Sequence, residues 1–323
     1  PRRHDRPHPG RALSRAYARA MPTTDAERRT VDGLVVVDKP TGWTSHDVVA
    51  KLRGVYGQRR IGHAGTLDPD ATGVLLVGLG RATRLLRFLQ EAGKEYEGRV
   101  AFGVATDTLD AAGTVLERAE MPVTAADLDG VLDRFRGDIH QVPPMVSAIK
   151  VGGRRLHELA RAGTEVERAP RPVHISRLEV LDLEPGPFPV ATIRVACSSG
   201  TYIRTLAADL GAALGGCAHL AALRRTRVGS FTLDEARPLD AVVADPRAAT
   251  LDLVTMVRDL PTETVDEATA IAVRHGSVFP AGTFAAATDG QPVAVVGDGA
   301  LLAVYERRGA GIKPVVVVAG SAG

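Results

Sequence analysis

The residues best suited to chemistry lie in the loop at 60–73. It reads Arg-Ile-Gly-His-Ala-Gly-Thr-Leu-Asp-Pro-Asp-Ala-Thr-Gly and runs into the apolar stretch 74–79. A proline keeps the residue before it out of the helical region, so Asp68 is expected to present its carboxylate from a fixed, extended turn. Such a group can serve as a nucleophile or a base. Asp-Pro is also a common turn dipeptide, so on these residues alone a purely structural turn remains open.

The sequence lacks the residues that a nucleotide, aspartyl-phosphate or metal site would need. The loop contains neither G-x-x-x-x-G-K-[ST] nor G-x-G-x-x-G, which argues against a nucleoside triphosphate or dinucleotide site. The groups that hold Mg²⁺ in an aspartyl-phosphate enzyme are not evident. His63 has no histidine partner at a zinc-binding spacing, and Cys197 and Cys217 form no metal-ligand pair. We therefore expect no metal, and two free cysteines suit a reducing, cytoplasmic compartment.

Three further segments place polar groups beside aromatic ones. Tyr96 lies in the charged segment 94–98, where it can stack on a base or cover a sheet face. Tyr202 and Arg204 stand at the start of a predicted helix, and an arginine there can pair with a carboxylate or a phosphate. The Pro-containing segment 141–150 ends in Lys150 and leads into a basic stretch, which favours a phosphate-contacting arm.

Composition places the chain among globular proteins. It has 323 residues, of which 45% are hydrophobic, 24% charged and 4% aromatic, which excludes disorder, collagen and coiled coil. The apolar runs are far shorter than the ~20 residues that span a bilayer, so no membrane partner is expected. Net charge is +2, and residues 1–30 hold eight Arg and three acidic residues, net +5, which leaves 2 − 5 = −3 for the rest. Any nucleic-acid contact must therefore come from local basic faces.

Hydrophobic periodicity predicts the elements that position these residues. The predicted strands and helices do not follow the regular alternation of repeated βαβ units. This order favours an α+β fold with a largely antiparallel sheet, followed by a small β-rich domain. We predict an N-terminal extension at 1–30, disordered or not native, a main domain at 31–261 and a C-terminal domain at 262–323. The predicted strands are 33–37, 74–79, 95–102, 173–183, 190–197, 292–296, 300–306 and 314–318, and the predicted helices begin near 44, 85, 124, 154, 201 and 266.

Five blocks of sequence, in order and at matching spacing, resemble the bacterial TruB family of tRNA pseudouridine synthases. The resemblance covers roughly residues 31–235 and is carried by GLVVVDKPTGWTSHD at 33–47, RIGHAGTLDPDATGVLLVGLG at 60–80, KEYEG at 94–98, QVPPMVSAIKVGGRRLHELARAG at 141–163 and SSGTYIRTLAADLGAALGGCAHLAALRRTRVG at 198–229. It implies a pseudouridine synthase fold with a PUA-like C-terminal domain. It also implies conversion of uridine to pseudouridine at position 55, in the T loop of tRNA, without cofactor or metal.

The resemblance also assigns roles to residues. Asp68 matches the family's essential aspartate, Arg204 its partner, and Tyr96 a ring that stacks on the base. The target base must leave its loop, and His63 matches the residue that helps to hold the displaced bases. The further substrate-binding residues are Tyr202, which lines the pocket, Leu223, whose backbone borders the base, Lys39 in the first block, and the phosphate contacts Arg224, Arg225 and Lys150. One chain suffices for this chemistry, so we expect a monomer.

Two alternative functions remain open. A tRNA-folding or RNA-binding factor would keep the fold without catalysis, although Asp68, Tyr96 and Arg204 are all present. A retaining glycosidase needs two carboxylates about 5–5.5 Å apart on opposite faces of a sugar, and Asp70 supplies the second carboxylate. Carboxylates on one turn seldom flank a sugar in this way, and the five blocks do not support a glycosidase.

Overall fold

The computed structural model describes residues 30–145, 150–151, 154–155 and 166–318. Strands and helices are numbered here in chain order. The strands are β1 Gly33–Lys39, β2 Ile61–Ala64, β3 Thr72–Leu79, β4 Lys94–Phe102, β5 Val104–Thr106, β6 Val115–Arg118, β7 Gly137–Gln141, β8 Lys150–Val151, β9 Arg154–Arg155, β10 Arg171–Glu184, β11 Val190–Cys197, β12 Ala218–Val228, β13 Phe231–Thr232, β14 Arg237–Pro238, β15 Thr262–Thr264, β16 Phe279–Pro280, β17 Pro292–Gly297, β18 Ala300–Arg308 and β19 Gly311–Val317. The α-helices are α1 Ser45–Val55, α2 Leu86–Glu91, α3 Ala125–Leu132, α4 Ile203–Ala213, α5 Leu239–Ala244, α6 Leu253–Met256 and α7 Glu267–Arg274, with 3₁₀ turns at Gly80–Arg84 and Asp133–Phe135.

A large mixed sheet forms the body of the molecule. Its strand order is β14-β1-β3-β12-β4-β11-β10-β7, with β2 beside β3 and β13 beside β12. The β1–β14 and β3–β12 pairs are parallel and the other pairs are antiparallel. Helices α1, α3 and α4 bury their apolar sides in the core on one face of this sheet. The predicted α+β architecture with a mainly antiparallel sheet is confirmed.

A second, smaller sheet follows, in the order β15-β17-β18-β19-β16. Helix α7 begins after Asp266, whose carboxylate accepts the Thr269 N–H, and packs on this sheet. The predicted small β-rich C-terminal unit is thus present. Val36 and Leu76 of the large sheet share one hydrophobic cluster with residues of β17, β18 and β19. Because the apolar core runs across the junction, the boundary between 261 and 262 stays a prediction.

Local sequence explains the helix that stands over the site. Thr44 caps α1 through a reciprocal pair, in which its hydroxyl accepts the Asp47 N–H while the Asp47 carboxylate accepts the Thr44 N–H. Val48, Val49 and Leu52 recur at helical spacing and are buried against the sheet. The predicted helix start is confirmed.

One strand was not recognised from the sequence pattern, and one predicted helix is wrong at its start. The central strand β12 was not predicted, because two register shifts along its pairing with β4 break the alternation of buried and exposed residues. The helix predicted from residue 154 does not begin there. Arg154 and Arg155 pair with β8 as strand β9, so the backbone of these two residues is extended and not helical. The rest of that predicted helix, and the extension at 1–29, lie outside the described residues.

Candidate active site

The Asp68 loop connects β2 to β3 and is fastened at both sides of the aspartate. The Ser45 hydroxyl bonds the backbone of Leu67 twice, accepting its N–H at 2.8 Å and donating to its carbonyl at 3.1 Å. The Pro69 carbonyl accepts the Gly42 N–H at 2.9 Å and the Lys39 ammonium at 3.0 Å. The Asp68 carboxylate is therefore held on a rigid turn, as the Asp-Pro dipeptide predicts.

Lys39 lies beneath this turn, not at a surface that RNA could reach. Its buried ammonium donates to the carbonyls of Pro40, Trp43 and Pro69, at 2.9, 2.6 and 3.0 Å. Burial lowers its pKa to about 8, against the opposing charges of Asp70 and Asp68. The structure therefore corrects the predicted substrate contact, since Lys39 joins the β1–α1 turn to the Asp68 turn.

Arg204 lies between two carboxylates. It is the second residue of α4 and is buried, and one of its terminal nitrogens lies 3.4 Å from the nearer Asp68 oxygen. Its other terminal nitrogen donates to Asp110 at 3.0 Å and to the Thr108 carbonyl at 3.3 Å. The structure thus brings together Asp68 and Arg204, and the tighter of the two ion pairs is the one with Asp110.

Sequence reasoning missed Asp110. Its carboxylate accepts the Thr108 hydroxyl at 2.6 Å and the Ala112 N–H at 3.1 Å, in a turn where Leu109 has a positive φ of 62°. Such backbone is rare for a non-glycine residue and often marks a functional site. The only sign in the sequence was the polar segment Thr106-Asp107-Thr108 ahead of it.

The Asp68 carboxylate is partly exposed, yet the surrounding protein removes part of its hydration. Its side chain is 44% exposed, so a substrate can reach the carboxylate. Loss of hydration raises its pKa above the ordinary value, and the neighbouring Asp110 charge adds to this, whereas the Arg204 and Lys39 charges oppose it. A carboxylate with a raised pKa is more basic, when ionised, than one with a depressed pKa and is therefore the better nucleophile.

Tyr96 and Arg225 form the layer below the loop. They are cross-strand partners on β4 and β12, and both side chains are buried. Arg225, 1% exposed, also donates to the carbonyls of Val74 and Gly65 at 2.8 and 3.1 Å. Burial raises the pKa of Tyr96 and keeps its hydroxyl protonated. The phosphate contact predicted for Arg225 does not fit this geometry, because its guanidinium bonds groups inside the protein.

The neighbouring Arg224 points the other way. It is 39% exposed and forms a two-point pair with Asp38, at 2.8 and 3.1 Å. It also donates to the Thr72 hydroxyl at 3.3 Å, at the end of the Asp68 loop. The side chains of Arg224 and Arg225 therefore lie on different sides of the sheet. Of these two, only Arg224 presents its guanidinium to solvent.

His63 lies on β2 with its ring edge-on to that of His46, their centroids 5.2 Å apart. Its Nδ1 is buried and has no hydrogen-bond partner among the residues that the structure describes. Burial lowers the pKa of His63 to about 4, and the charges of His46 and Arg225 add to the effect. The imidazole is therefore neutral at physiological pH and offers an uncharged ring.

The remaining predicted residues are distributed around this centre. Tyr202 is partly exposed and precedes α4, two residues before Arg204. Leu223 of β12 is partly exposed, pairs with Gly98 and packs on the main core. Lys150 lies on β8, and its side chain is outside the described part of the chain.

Neither a metal centre nor a membrane span emerges from the described part of the chain. In it, no group of three or more His, Cys, Asp or Glu side chains is arranged to hold a metal ion. No helix among the same residues is long and apolar enough to cross a bilayer.

Comparison with known proteins places this site in a family. The model of the TruB family pseudouridylate synthase N-terminal domain matches residues 53–203, and that of the tRNA pseudouridylate synthase B C-terminal domain matches residues 204–254. The tRNA pseudouridine synthase B of Symbiobacterium thermophilum is 52% identical over 252 residues, 78% of this chain and 84% of the relative. That of Thermobifida fusca is 46% identical over 305 residues, 90% of this chain and 99% of the relative.

Similar solved structures support the same family as the sequence comparisons. A Cbf5-Nop10-Gar1 complex contains a chain with a TM-score of 0.70 and 29% identity, covering 89% of this chain and 85% of its own. An H/ACA RNP bound to a substrate RNA containing 2′-deoxyuridine gives 0.69 and 27%, covering 90% and 86%. The family that the five sequence blocks predicted is confirmed. With its Asp68–Arg204 centre on this fold, the chain belongs to the TruB family of pseudouridine synthases.

Proposed function

We propose that this pseudouridine synthase acts on the uridine at position 55, in the T loop of tRNA, with Asp68 as its nucleophile. The observation that carries the proposal is the Asp68 carboxylate on its fastened turn, 3.4 Å from a buried arginine. The named relatives act on tRNA, and their sequences match this chain over most of its length.

The chemistry balances without a cofactor or a metal. The N1–C1′ bond of the uridine breaks, the detached base turns, and a C5–C1′ bond forms. The proton on C5 leaves to solvent and N1 ends with a hydrogen. Asp68 can begin the reaction by attack at C1′ or at C6, or by removing a proton to form a glycal, and all three routes need it ionised. The raised pKa of Asp68 places its ionisation closer to neutrality than that of an ordinary aspartate.

Arg204 has two roles in this proposal. Its charge favours the ionised form of Asp68 before RNA arrives. Asp110 accepts the stronger hydrogen bond, at 3.0 Å against 3.4 Å or more for Asp68, so Arg204 stays in place when the Asp68 carboxylate moves onto the substrate. An arginine held by a second carboxylate is preorganised for charge that develops in the reaction.

The other residues shape the base pocket. Tyr96 supplies an aromatic surface for the flipped uracil, Tyr202 lines the side, and the backbone of Leu223 borders the base. The neutral His63 ring fills space beside the displaced bases without adding charge. Arg224 and Lys150 are the proposed phosphate contacts, which position the T loop without determining sequence.

The test uses a tRNA transcript carrying tritium at uridine C5, because pseudouridine formation releases that tritium to water. We expect the intact chain to release it, Asp68→Asn to bind the tRNA without release, and Asp70→Asn to release it at close to the normal rate. Asp70 is the matched control, an exposed carboxylate two residues away. Binding without release by the intact chain would favour the non-catalytic RNA-binding factor. Loss of release in Asp70→Asn would show that the reaction needs a second carboxylate, and that Asp68 alone does not account for it.

A further inference from the structure

A buried glutamine holds the start of the helix that carries Arg204. Gln141 is the last residue of β7 and is 2% exposed. Its side-chain oxygen accepts the Tyr202 N–H at 3.0 Å, and its side-chain nitrogen donates to the Tyr202 carbonyl at 3.3 Å. One amide group thus bonds both polar groups of a single backbone residue on another element.

This contact fixes the backbone of the N-cap residue at a helix start that lacks an ordinary side-chain cap. A helix start is usually fixed by the side chain of its own N-cap residue, most often Ser, Thr, Asp or Asn. Tyr202 stands at that position in α4 and makes no side-chain cap hydrogen bond. The Thr205 hydroxyl, in the first turn, donates to the Val142 carbonyl at 3.4 Å. The first turn of α4 is therefore joined to the end of β7 through Gln141 and the residue after it.

The geometry of that first turn decides where Arg204 lies. Arg204 is the second residue of α4, and its guanidinium reaches Asp110 at 3.0 Å and Asp68 at 3.4 Å. A small rotation or shift of the helix start moves the guanidinium relative to both carboxylates. Misplacement by about 1 Å is enough to slow an enzymatic reaction by about 100-fold.

We propose that Gln141 is a positioning residue for pseudouridine formation, whose side-chain amide fixes the first turn of α4 so that Arg204 meets Asp68. The inference rests on the proposed function, because it concerns the same site. Gln141 acts through Arg204, and no reacting atom is expected to touch it.

The test compares Gln141→Met and Gln141→Glu with the intact chain. Methionine keeps the length of the side chain and an apolar volume that a buried site tolerates, but it makes neither hydrogen bond. A carboxylate accepts the Tyr202 N–H but cannot donate to the Tyr202 carbonyl until it is protonated. Asp138→Asn is the matched control, since it also exchanges acid and amide on β7 but at an exposed position paired with His174.

The first readout needs no activity. The Asp68 carboxyl is titrated by carbon-13 NMR in the free protein, with Asp68→Asn used to assign its signal. The Arg204 charge lowers the pKa of Asp68, so a misplaced Arg204 must let that pKa rise. We expect a higher Asp68 pKa in Gln141→Met and an unchanged one in Asp138→Asn. An unchanged Asp68 pKa in Gln141→Met would overturn the proposal.

The second readout is the single-turnover rate of tritium release. We expect Gln141→Met to slow it about 10- to 100-fold, with the tRNA Kd within about twofold of the intact chain. For Gln141→Glu, the measured quantity is the ratio of its rate to that of the intact chain at the same pH. This ratio is expected to rise as the pH falls from about 8 to about 6. Burial raises the pKa of the introduced carboxyl, and the protonated carboxyl can again donate to the Tyr202 carbonyl. A ratio that stays constant with pH, or a loss in Kd alone, would contradict the proposal.

A double-variant cycle tests the route through Arg204. In an Arg204→Lys background, Gln141→Met is expected to change the rate by less than about twofold, because the group that it positions is already gone. If the two losses multiply, Gln141 acts elsewhere and the proposal fails. If the intact chain releases no tritium from any tRNA, the proposed function fails, and the Asp68 titration still decides whether Gln141 positions Arg204.

Discussion

Replacing Arg225 with methionine distinguishes two roles for one side chain. As a phosphate contact, the role predicted from sequence, Arg225 would contribute to tRNA affinity and little to folding. In the structure it is 1% exposed and donates to the carbonyls of Gly65 and Val74. Gly65 and Val74 lie on either side of the Asp68 turn, so the substitution is expected to loosen that turn and to destabilise the fold.

The magnitude follows from the two carbonyl acceptors that lose the Arg225 guanidinium as donor. Each buried acceptor that loses its partner costs about 1 to 3 kcal/mol, and the low end applies because methionine removes the need to bury a charge. Two of them give a loss of about 2 kcal/mol in the free energy of unfolding, against the roughly 5–15 kcal/mol of a typical domain. This corresponds to a fall in Tm of about 4–8 °C.

The assay is urea and thermal unfolding, followed by circular dichroism, together with tRNA binding at several salt concentrations. Arg224→Met is the matched control, one residue away on β12 and 39% exposed. We expect Arg224→Met to leave Tm nearly unchanged and to reduce the salt dependence of binding by about one phosphate contact. If Arg225→Met were to weaken binding in that way with an unchanged Tm, the assignment of Arg225 to the interior would be refuted.

Three further predictions follow from the site. Asp110→Asn removes the closer charged partner of Arg204, 3.0 Å away, and is expected to slow single-turnover tritium release at least about tenfold with unchanged tRNA Kd. Gly73→Ala places a Cβ 2.1 Å from the Arg225 carbonyl at a φ of +101°, so urea unfolding should show a loss of about 2 kcal/mol or more. Burial lowers the pKa of His63 from 6.5 to about 4, so between these pH values the unfolded chain binds more protons than the folded chain. Stability therefore falls as the pH drops through this range. When Tm is measured at about pH 7 and about pH 5, the fall is expected to be smaller in His63→Gln than in the intact chain.

Sequence predicted well the elements whose signal is local. Helix α1 begins where Thr44 predicts a cap, and the long strands β10 and β11 pair across the predicted Pro-Gly-Pro connection. The Asp68 turn also follows from local rules, since a proline fixes the backbone before it. In each case the residues that decide the structure are close together in the chain.

The interior of the site could not be predicted in this way. Three arginines close together on β12 suggest a surface, and nothing near them in sequence shows that Arg225 bonds carbonyls 151 and 160 residues away. The same holds for Lys39, whose ammonium reaches the Pro69 carbonyl 30 residues away. Asp110 becomes a partner of Arg204 only when the turn at 107–113 folds against the first turn of α4. Such pairings depend on tertiary packing, which local sequence patterns do not encode.

Isomerisation of uridine 55 of tRNA through Asp68 is the reaction that we propose for this chain. The most direct measurement is tritium release from a C5-labelled tRNA transcript, compared with a transcript that carries cytidine at position 55. We expect the first transcript to release one equivalent of tritium that the second does not, and neither transcript to release any with Asp68→Asn. Equal release from both transcripts, or undiminished release by Asp68→Asn, would contradict it.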